Sequence, residues 1–186
     1  VTDTTADPVS CTVNGKPYTC TIIADRGLVC IKDVKVPVVP EGVSVSGTVK
    51  SYNPNNATTI QLMQGGTKMY QTTIAAATGS GQKEQSFTFA SVAAGKYDLV
   101  VVKPGHLSYT VKDVVVGDAA IDLTELTGKP YQTITLLAGD VNGDGKINLT
   151  DLSIFKNNFG KTGSAVTNLL ADITGDGKIN LLDLGV

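Results

Sequence analysis

From Val43 to Leu137, apolar and polar residues alternate in short runs, the period of a strand that buries one face. Val43 to Ser51, Thr58 to Gln64, Met69 to Ala76 and Gln85 to Phe89 make four such runs. Lys96 to Val102, Tyr109 to Val116 and Gln132 to Leu137 make three more. Asn53-Pro54-Asn55-Asn56, Gly65-Gly66, Gly79-Ser80-Gly81 and Pro104-Gly105 punctuate them with turn-forming residues. Strands at this spacing predict an immunoglobulin-like all-β sandwich over 43–138. Upstream, Cys11 to Lys16 followed by Tyr18 to Ile23 predicts a hairpin turning at Asn14-Gly15. Leu28 to Val36 reads as a further strand, and Pro37 to Pro40 as a boundary. Residues 1–42 are thus a small β-unit or the tail of an upstream domain.

Past Leu137 the alternation stops and one pattern occurs twice. Asp140 to Asp151 reads Asp-Val-Asn-Gly-Asp-Gly-Lys-Ile-Asn-Leu-Thr-Asp, and Asp172 to Asp183 reads Asp-Ile-Thr-Gly-Asp-Gly-Lys-Ile-Asn-Leu-Leu-Asp. Oxygen-bearing side chains fall at loop positions 1, 3, 5, 9 and 12, with Gly at position 6. That spacing is the ligand spacing of an EF-hand calcium loop, where a hard cation collects about six to eight oxygens. The first loop offers Asp140, Asn142, Asp144, the Lys146 carbonyl, Asn148 and Asp151. The second offers Asp172, Asp176, the Lys178 carbonyl, Asn180 and Asp183, with Thr174 at position 3. A hydroxyl there is a shorter donor than a carboxamide, so the second of two calcium sites is expected to be the weaker. Three Asp carboxylates in one loop repel each other without a cation, which couples loop closure to metal binding. The plain alternative is a pair of metal-free Asx turns; duplication of the whole pattern weighs against it.

Each loop leads into a helix, but no helix precedes it: Tyr131 to Leu137 reads as strand. The first helix is predicted from about Leu149 to Phe159, stopping at Gly160. Leu152, Phe155 and Phe159 recur at helical spacing and are expected to face the core. Ile147 and Ile179, both at position 8, are expected to pair across the loops. The second helix has room for little more than a turn before Val186.

Residues Gly139 to Val186, with their paired Asp-x-Asn/Thr-Gly-Asp-Gly-Lys-Ile-Asn-x-x-Asp segments, resemble the dockerin module of cellulosomal proteins. That resemblance implies a small all-α calcium-binding module of two loop–helix repeats, which docks onto a cohesin module of a scaffoldin or cell-surface anchoring protein. It places recognition at Leu149, Thr150, Ser153, Lys156, Asn157 and Lys161 in the first repeat, and at Leu181 and Leu182 in the second. For Leu149 and Leu181 the competing reading is packing within the module. The Asn-Leu-Leu-Asp run is closer to the type II dockerin pattern. The preceding sandwich, with Val-Ser-Gly-Thr-Val, Ala-Ala-Gly-Lys-Tyr-Asp-Leu-Val-Val and Lys-Pro-Gly-His, resembles the X-module that often stands before dockerins. Only two residues separate Leu137 from Asp140, so the two modules are expected to form a rigid pair.

Composition narrows the remaining choices. The net charge of −2 gives no reason to expect nucleic acid, and no run of eighteen apolar residues is present. Such a β-rich chain suits a secreted, extracellular protein, and its start at Val1 reads as the middle of a longer one. The three Cys, at 11, 20 and 30, lack zinc-site spacing. A Cys11–Cys20 bridge and buried free thiols both stay open. His106 is the single histidine and lacks a nucleophile context, so a turn role is expected and no enzyme activity. A carbohydrate-binding sandwich tethered by the docking module needs an exposed aromatic row, for which the sandwich has Tyr52, Tyr70, Tyr97 and Tyr109. A free calcium sensor needs entering helices and a Met-rich groove, and the chain has two Met.

Overall fold

The computed structural model describes residues 9–13, 16–23, 27–31 and 42–186. The expected turn at Asn14-Gly15, the strand beyond Ile31 and the boundary at Pro37 to Pro40 lie outside the described residues. The chain divides into two compact units, Val1–Val39 and Pro40–Val186. In the first, β1 (Val9–Val13), β2 (Lys16–Ile23) and β3 (Gly27–Ile31) form an antiparallel sheet in that order. Its register sets Cys11 opposite Tyr18 and Cys20 opposite Cys30. The two cysteines level with one another are therefore Cys20 and Cys30, not Cys11 and Cys20.

The second unit opens with β4 (Val43–Tyr52), β5 (Thr58–Gln64), β6 (Thr67–Ile74) and β7 (Gln82–Val92). It continues with β8 (Gly95–Val102), β9 (Gly105–His106), β10 (Tyr109–Val116), β11 (Ile121–Asp122), β12 (Ile134–Thr135) and β13 (Ala138–Asp140). One sheet runs β10-β8-β5-β6. In the other, β4 pairs antiparallel with β7 on one side and parallel with β11 and then β12 on the other. The alternating residues of both sheets face inward as their period requires. Val45, Val49, Ile60, Leu62, Phe87, Phe89, Leu99 and Val101 are all buried in one core.

Two segments depart from the expected strands. The run Gln132 to Leu137 forms only the two-residue β12 (Ile134–Thr135), running parallel to β4. A short 3-10 turn, Leu123–Glu125, precedes it and buries Leu123. Both segments contribute buried anchors, Leu123, Ile134 and Leu136, and little ladder. In β10 a bulge between Val111 and Val114 places Asp113 at φ 60° and returns Val114 and Val116 to the inner face. That bulge explains why the apolar period slips at Lys112-Asp113.

Beyond the sandwich come α1 (Leu149–Asn158) and the single-turn α2 (Leu181–Leu184). A second small core of Val141, Phe155, Ala171, Ile173 and Ile179 holds them, with Tyr52 of β4 packed against it. Among the described residues, no helix is long and apolar enough to cross a membrane.

Candidate metal loops and docking face

The first loop begins inside the sheet framework. Asp140 is the last residue of β13, which pairs with β9 and sets Asp140 opposite Gly105. The Leu107 N–H donates to the Leu137 carbonyl at 2.8 Å, and Leu136 N–H to Lys50 O at 3.0 Å. The chain is thus stitched to the sandwich until the first expected ligand. His106 completes this junction. It is buried, its Nδ1–H donates to the Pro104 carbonyl, and its Nε2 accepts from the Tyr52 N–H. Burial, with the charge of Lys103 adding to it, holds the ring below the ordinary histidine range despite the opposing Pro104 bond. His106 therefore works as a neutral strut in a short strand, not as a simple turn residue.

Within the loop, backbone N–H groups turn the carboxylates inward. Asp140 accepts from Gly143 N and Asp144 N on one oxygen and from Gly145 N on the other. Asp144 accepts from Lys146 N, and Asp151 from Val141 N, Asn142 N and Asn148 N. The second loop repeats this: Asp172 accepts from Gly175, Asp176 and Gly177, Asp176 from Lys178, and Asp183 from Thr174 and Asn180. The position-6 glycines, Gly145 and Gly177, sit at φ 80° and 82°, where a Cβ would strain the backbone. At position 3 the loops differ. The Thr174 hydroxyl donates to Asp183 Oδ1 at 2.9 Å and is buried, whereas Asn142 is exposed and reaches Asp144.

Positions 9 and 12 do double duty. Asn148 caps α1 through Thr150 N, while Asp151 closes a capping box on the Asn148 N–H. Asn180 and Asp183 do the same for α2. The last two oxygen donors of each loop are therefore also the start signal of the helix after it.

The electrostatics of the loops fit a hard cation. Burial tends to raise the Asp151 carboxyl, but donors from Asn148, Asn142 and Val141 together hold it below the ordinary range. Asp172 goes the other way: burial first, and then the charge of Asp183, outweigh its N–H donors and raise it. Such an acidic pair is relieved by positive charge. Among the described residues, no three His, Cys, Asp or Glu side chains are gathered into a ready cage. The donors are nonetheless all oxygen, and each carboxylate has lone pairs beyond those its N–H partners occupy. That chemistry is the one calcium requires.

Around the helices some expected contacts change. Phe155 is buried, but Leu152 is 45 % and Phe159 49 % exposed. Helix α1 buries Asp151, Phe155 and Asn158, so Leu152 looks instead into a shallow hollow shared with Ile147, Ile173 and Leu184. Phe159 packs edge-on to Phe155 from outside. Ile147 and Ile179 do not pair through their backbones. Ile179 N–H donates to Lys161 O and its carbonyl accepts from Gly160 N, while its side chain is fully buried; Ile147 is half exposed. The segment after α1 thus takes the place expected for the first loop.

Leu149, Thr150, Ser153, Lys156 and Asn157 lie together on the exposed face of α1, and Leu149 is 78 % exposed. Leu181 and Leu182 are exposed on α2. Neither Leu149 nor Leu181 packs within the module. Lys161 is half-buried and donates to Asn158 Oδ1 and Thr167 Oγ1, so its ammonium serves the module's own fold. Sequence reading missed Asn158, which is buried and also holds Thr167 N and Oγ1. A polar residue one turn beyond Ile154 on the buried face was its only signal. It also missed Asn53 and Asn55, visible in the sequence only as turn residues. Tyr97 is buried with Tyr70 edge-on against it, and Tyr52 and Tyr109 are half-buried against the two cores. The tyrosines of the sandwich form no exposed planar row.

Two capped calcium-type loops behind a sandwich define a class: a metal-ordered loop–helix module held on a β-support. Residues 138–186 match the family described as the Dockerin type I domain, and this C-terminal segment is a dockerin. Dockerin type I domains bind calcium. The match covers this segment alone. Two solved structures share the fold across both modules, each from Acetivibrio cellulolyticus. One is an N-terminal interface mutant of a type II cohesin–X-dockerin complex, at 23% identity and TM-score 0.53, covering 77% of this chain and 92% of that one. The other is a C-terminal interface mutant of that complex, at 20% identity with the same TM-score and coverage. The sandwich is thus X-module-like in fold. No curated protein matches the chain.

Proposed function

We propose that this chain is a calcium-dependent docking module that binds a cohesin and anchors its parent protein extracellularly, in a cellulosome or on a bacterial cell surface. Residues 43–138 act as the rigid X-module-like support and 139–186 as the dockerin. The observation that carries the reading is that positions 9 and 12 of each calcium-type loop also cap the following helix. Calcium, one ion per loop, supplies the positive charge that lets the clustered carboxylates stay together. Asp140, Asn142, Asp144, Asn148 and Asp151, with the Lys146 carbonyl, serve the first ion. Asp172, Asp176, Asn180 and Asp183, with the Lys178 carbonyl, serve the second; Thr174 orients Asp183. The face of Leu149, Thr150, Ser153, Lys156 and Asn157 makes the main contact, and Leu181 and Leu182 extend it. Neither module is assigned a catalytic role.

The test is binding to a panel of type I and type II cohesins, with calcium and then with excess chelator. Tight binding to one class that chelator abolishes is the expected result. It also fixes the dockerin type, since the matched family is described as type I and the structural relatives as type II. Calcium binding without any cohesin binding would overturn the docking role.

A further inference from the structure

The two loops match in sequence but not in surroundings. The first stands out in solvent from Asn142 to Thr150, and a Cβ on Gly143, at position 4, would meet nothing within 4 Å. The second is pressed against the sandwich. A Cβ on Gly175, the equivalent residue, would come within 2.5 Å of Asn53 Oδ1 and 2.8 Å of Asn55 Nδ2. Both glycines have nearly the same φ, 75° and 74°, so the difference is in the neighbours and not in the backbone.

Three donors of the sandwich reach three successive parts of the second loop. Asn53 Nδ2 donates to the Asp172 carbonyl at 2.9 Å, Gly81 N–H to the Thr174 carbonyl at 2.7 Å, and Asn55 Nδ2 to the Gly175 carbonyl at 2.9 Å. Asn55 is itself fixed by a second bond, to Gly79 O. Asn53 is held at φ 52°, is 7 % exposed, and leaves its Oδ1 buried without a partner. A strained backbone and an orphaned amide oxygen are both costs, incurred where the side chain meets the loop. The loop so held is the one whose position 3 carries a hydroxyl already bonded to Asp183.

We propose that Asn53, Asn55 and Gly81 are positioning groups of the second metal loop, so that its cation affinity depends on sandwich contacts that the first loop, joined to the sandwich only at its Asp140 end, lacks. The inference rests on the calcium reading of the loops. Ordering the loop before the ion arrives removes part of the ordering cost from binding, which offsets the poorer ligand at position 3. Linkage makes the effect reciprocal: calcium in the second loop tightens the β4–β5 turn and the approach to β7.

Calcium titration calorimetry on the full chain tests it. An Asp144→Ala background reports the second loop, and an Asp176→Ala background the first. Asn55→Ala and Asn53→Gly, the latter compatible with the positive φ, are expected to weaken the second loop by about tenfold, within the usual range of coupling between sites. The first loop is expected to be unchanged. Gly175→Ala should weaken the second loop more than Gly143→Ala weakens the first, since strain from φ is shared and only Gly175 meets the sandwich. Normal binding by the first loop with an unaltered second loop in both Asn variants would overturn the coupling alone. A chain that binds no calcium in either loop would overturn the calcium reading, and the coupling with it.

Discussion

Lys103 is the largest fully buried side chain of the sandwich, and its ammonium donates to Asn56 O at 2.7 Å and Thr58 Oγ1 at 3.3 Å. Burial lowers it to about 8, against about 10.4 in an unfolded chain. Below the lower value both states are protonated and the slope vanishes. Above it the unfolded chain holds more protons, so this group makes stability rise with pH until about 10.4. The urea midpoint is therefore expected to climb from about pH 8 to 9.5 relative to that of Lys103→Met, through the same linkage. Equal slopes would show that the amine is not the titrating group. Tyr97 does not interfere there, because burial, and then Tyr70, hold its phenol above the ordinary value. Removing the central carboxylates, Asp144→Ala with Asp176→Ala, is expected to abolish calcium binding by calorimetry and cohesin capture with it. Capture that persists in that double variant would break the proposed link between metal and docking. Loop residues such as these were legible because ligand spacing is local. Asn53 was not, because its partners lie about 120 positions away.

At the scale of elements, α1 has one face buried in the small core and one exposed face, which the proposed docking would use. Phe155→Ala opens the small core and is expected to cost about 3–5 kcal/mol, seen as a lower melting temperature of the dockerin. Leu152→Ala and Phe159→Ala remove half-exposed side chains, and each should cost well under that amount. Leu149→Ala combined with Asn157→Ala is expected to weaken cohesin binding at least tenfold, with calcium affinity and helicity unchanged. A parallel loss of calcium affinity would instead mark those residues as structural. The helix itself was plain in sequence, since Leu152, Phe155 and Phe159 recur at helical spacing and Gly160 stops it. Which of its apolar residues turn inward was not: a ten-residue helix with polar Asp151 and Asn158 on its buried face gives a weak periodic signal. Strand β12 failed for a related reason. Its apolar residues are anchors beneath a mostly irregular crossing, and alternation alone cannot separate that from a ladder.

For the whole molecule, the sandwich and dockerin lie in one compact unit, Pro40–Val186. Their junction is backbone and amide hydrogen bonding around β9 and β13 and around Asn53, Asn55 and Gly81. Chelating calcium is therefore expected to reach past the loops. Hydrogen exchange should speed up at Gly81 and Thr174, while the amides of β5 and β8 in the centre of their sheet stay protected. Exchange that changes only within 140–151 and 172–183 would mean that the modules do not communicate.

By itself the sequence determined the β-sandwich class, the duplicated calcium-type loops and the helix that follows each. These follow from period, capping and ligand spacing, all set by residues within about a dozen positions of one another. Tertiary structure alone decided that Ile179 pairs with Lys161, that Thr174 serves Asp183, and that the second loop leans on the sandwich while the first, past Val141, stands in solvent. Those outcomes depend on which surfaces meet once the chain is folded. Two nearly identical segments carry no local mark of the neighbours that make them different.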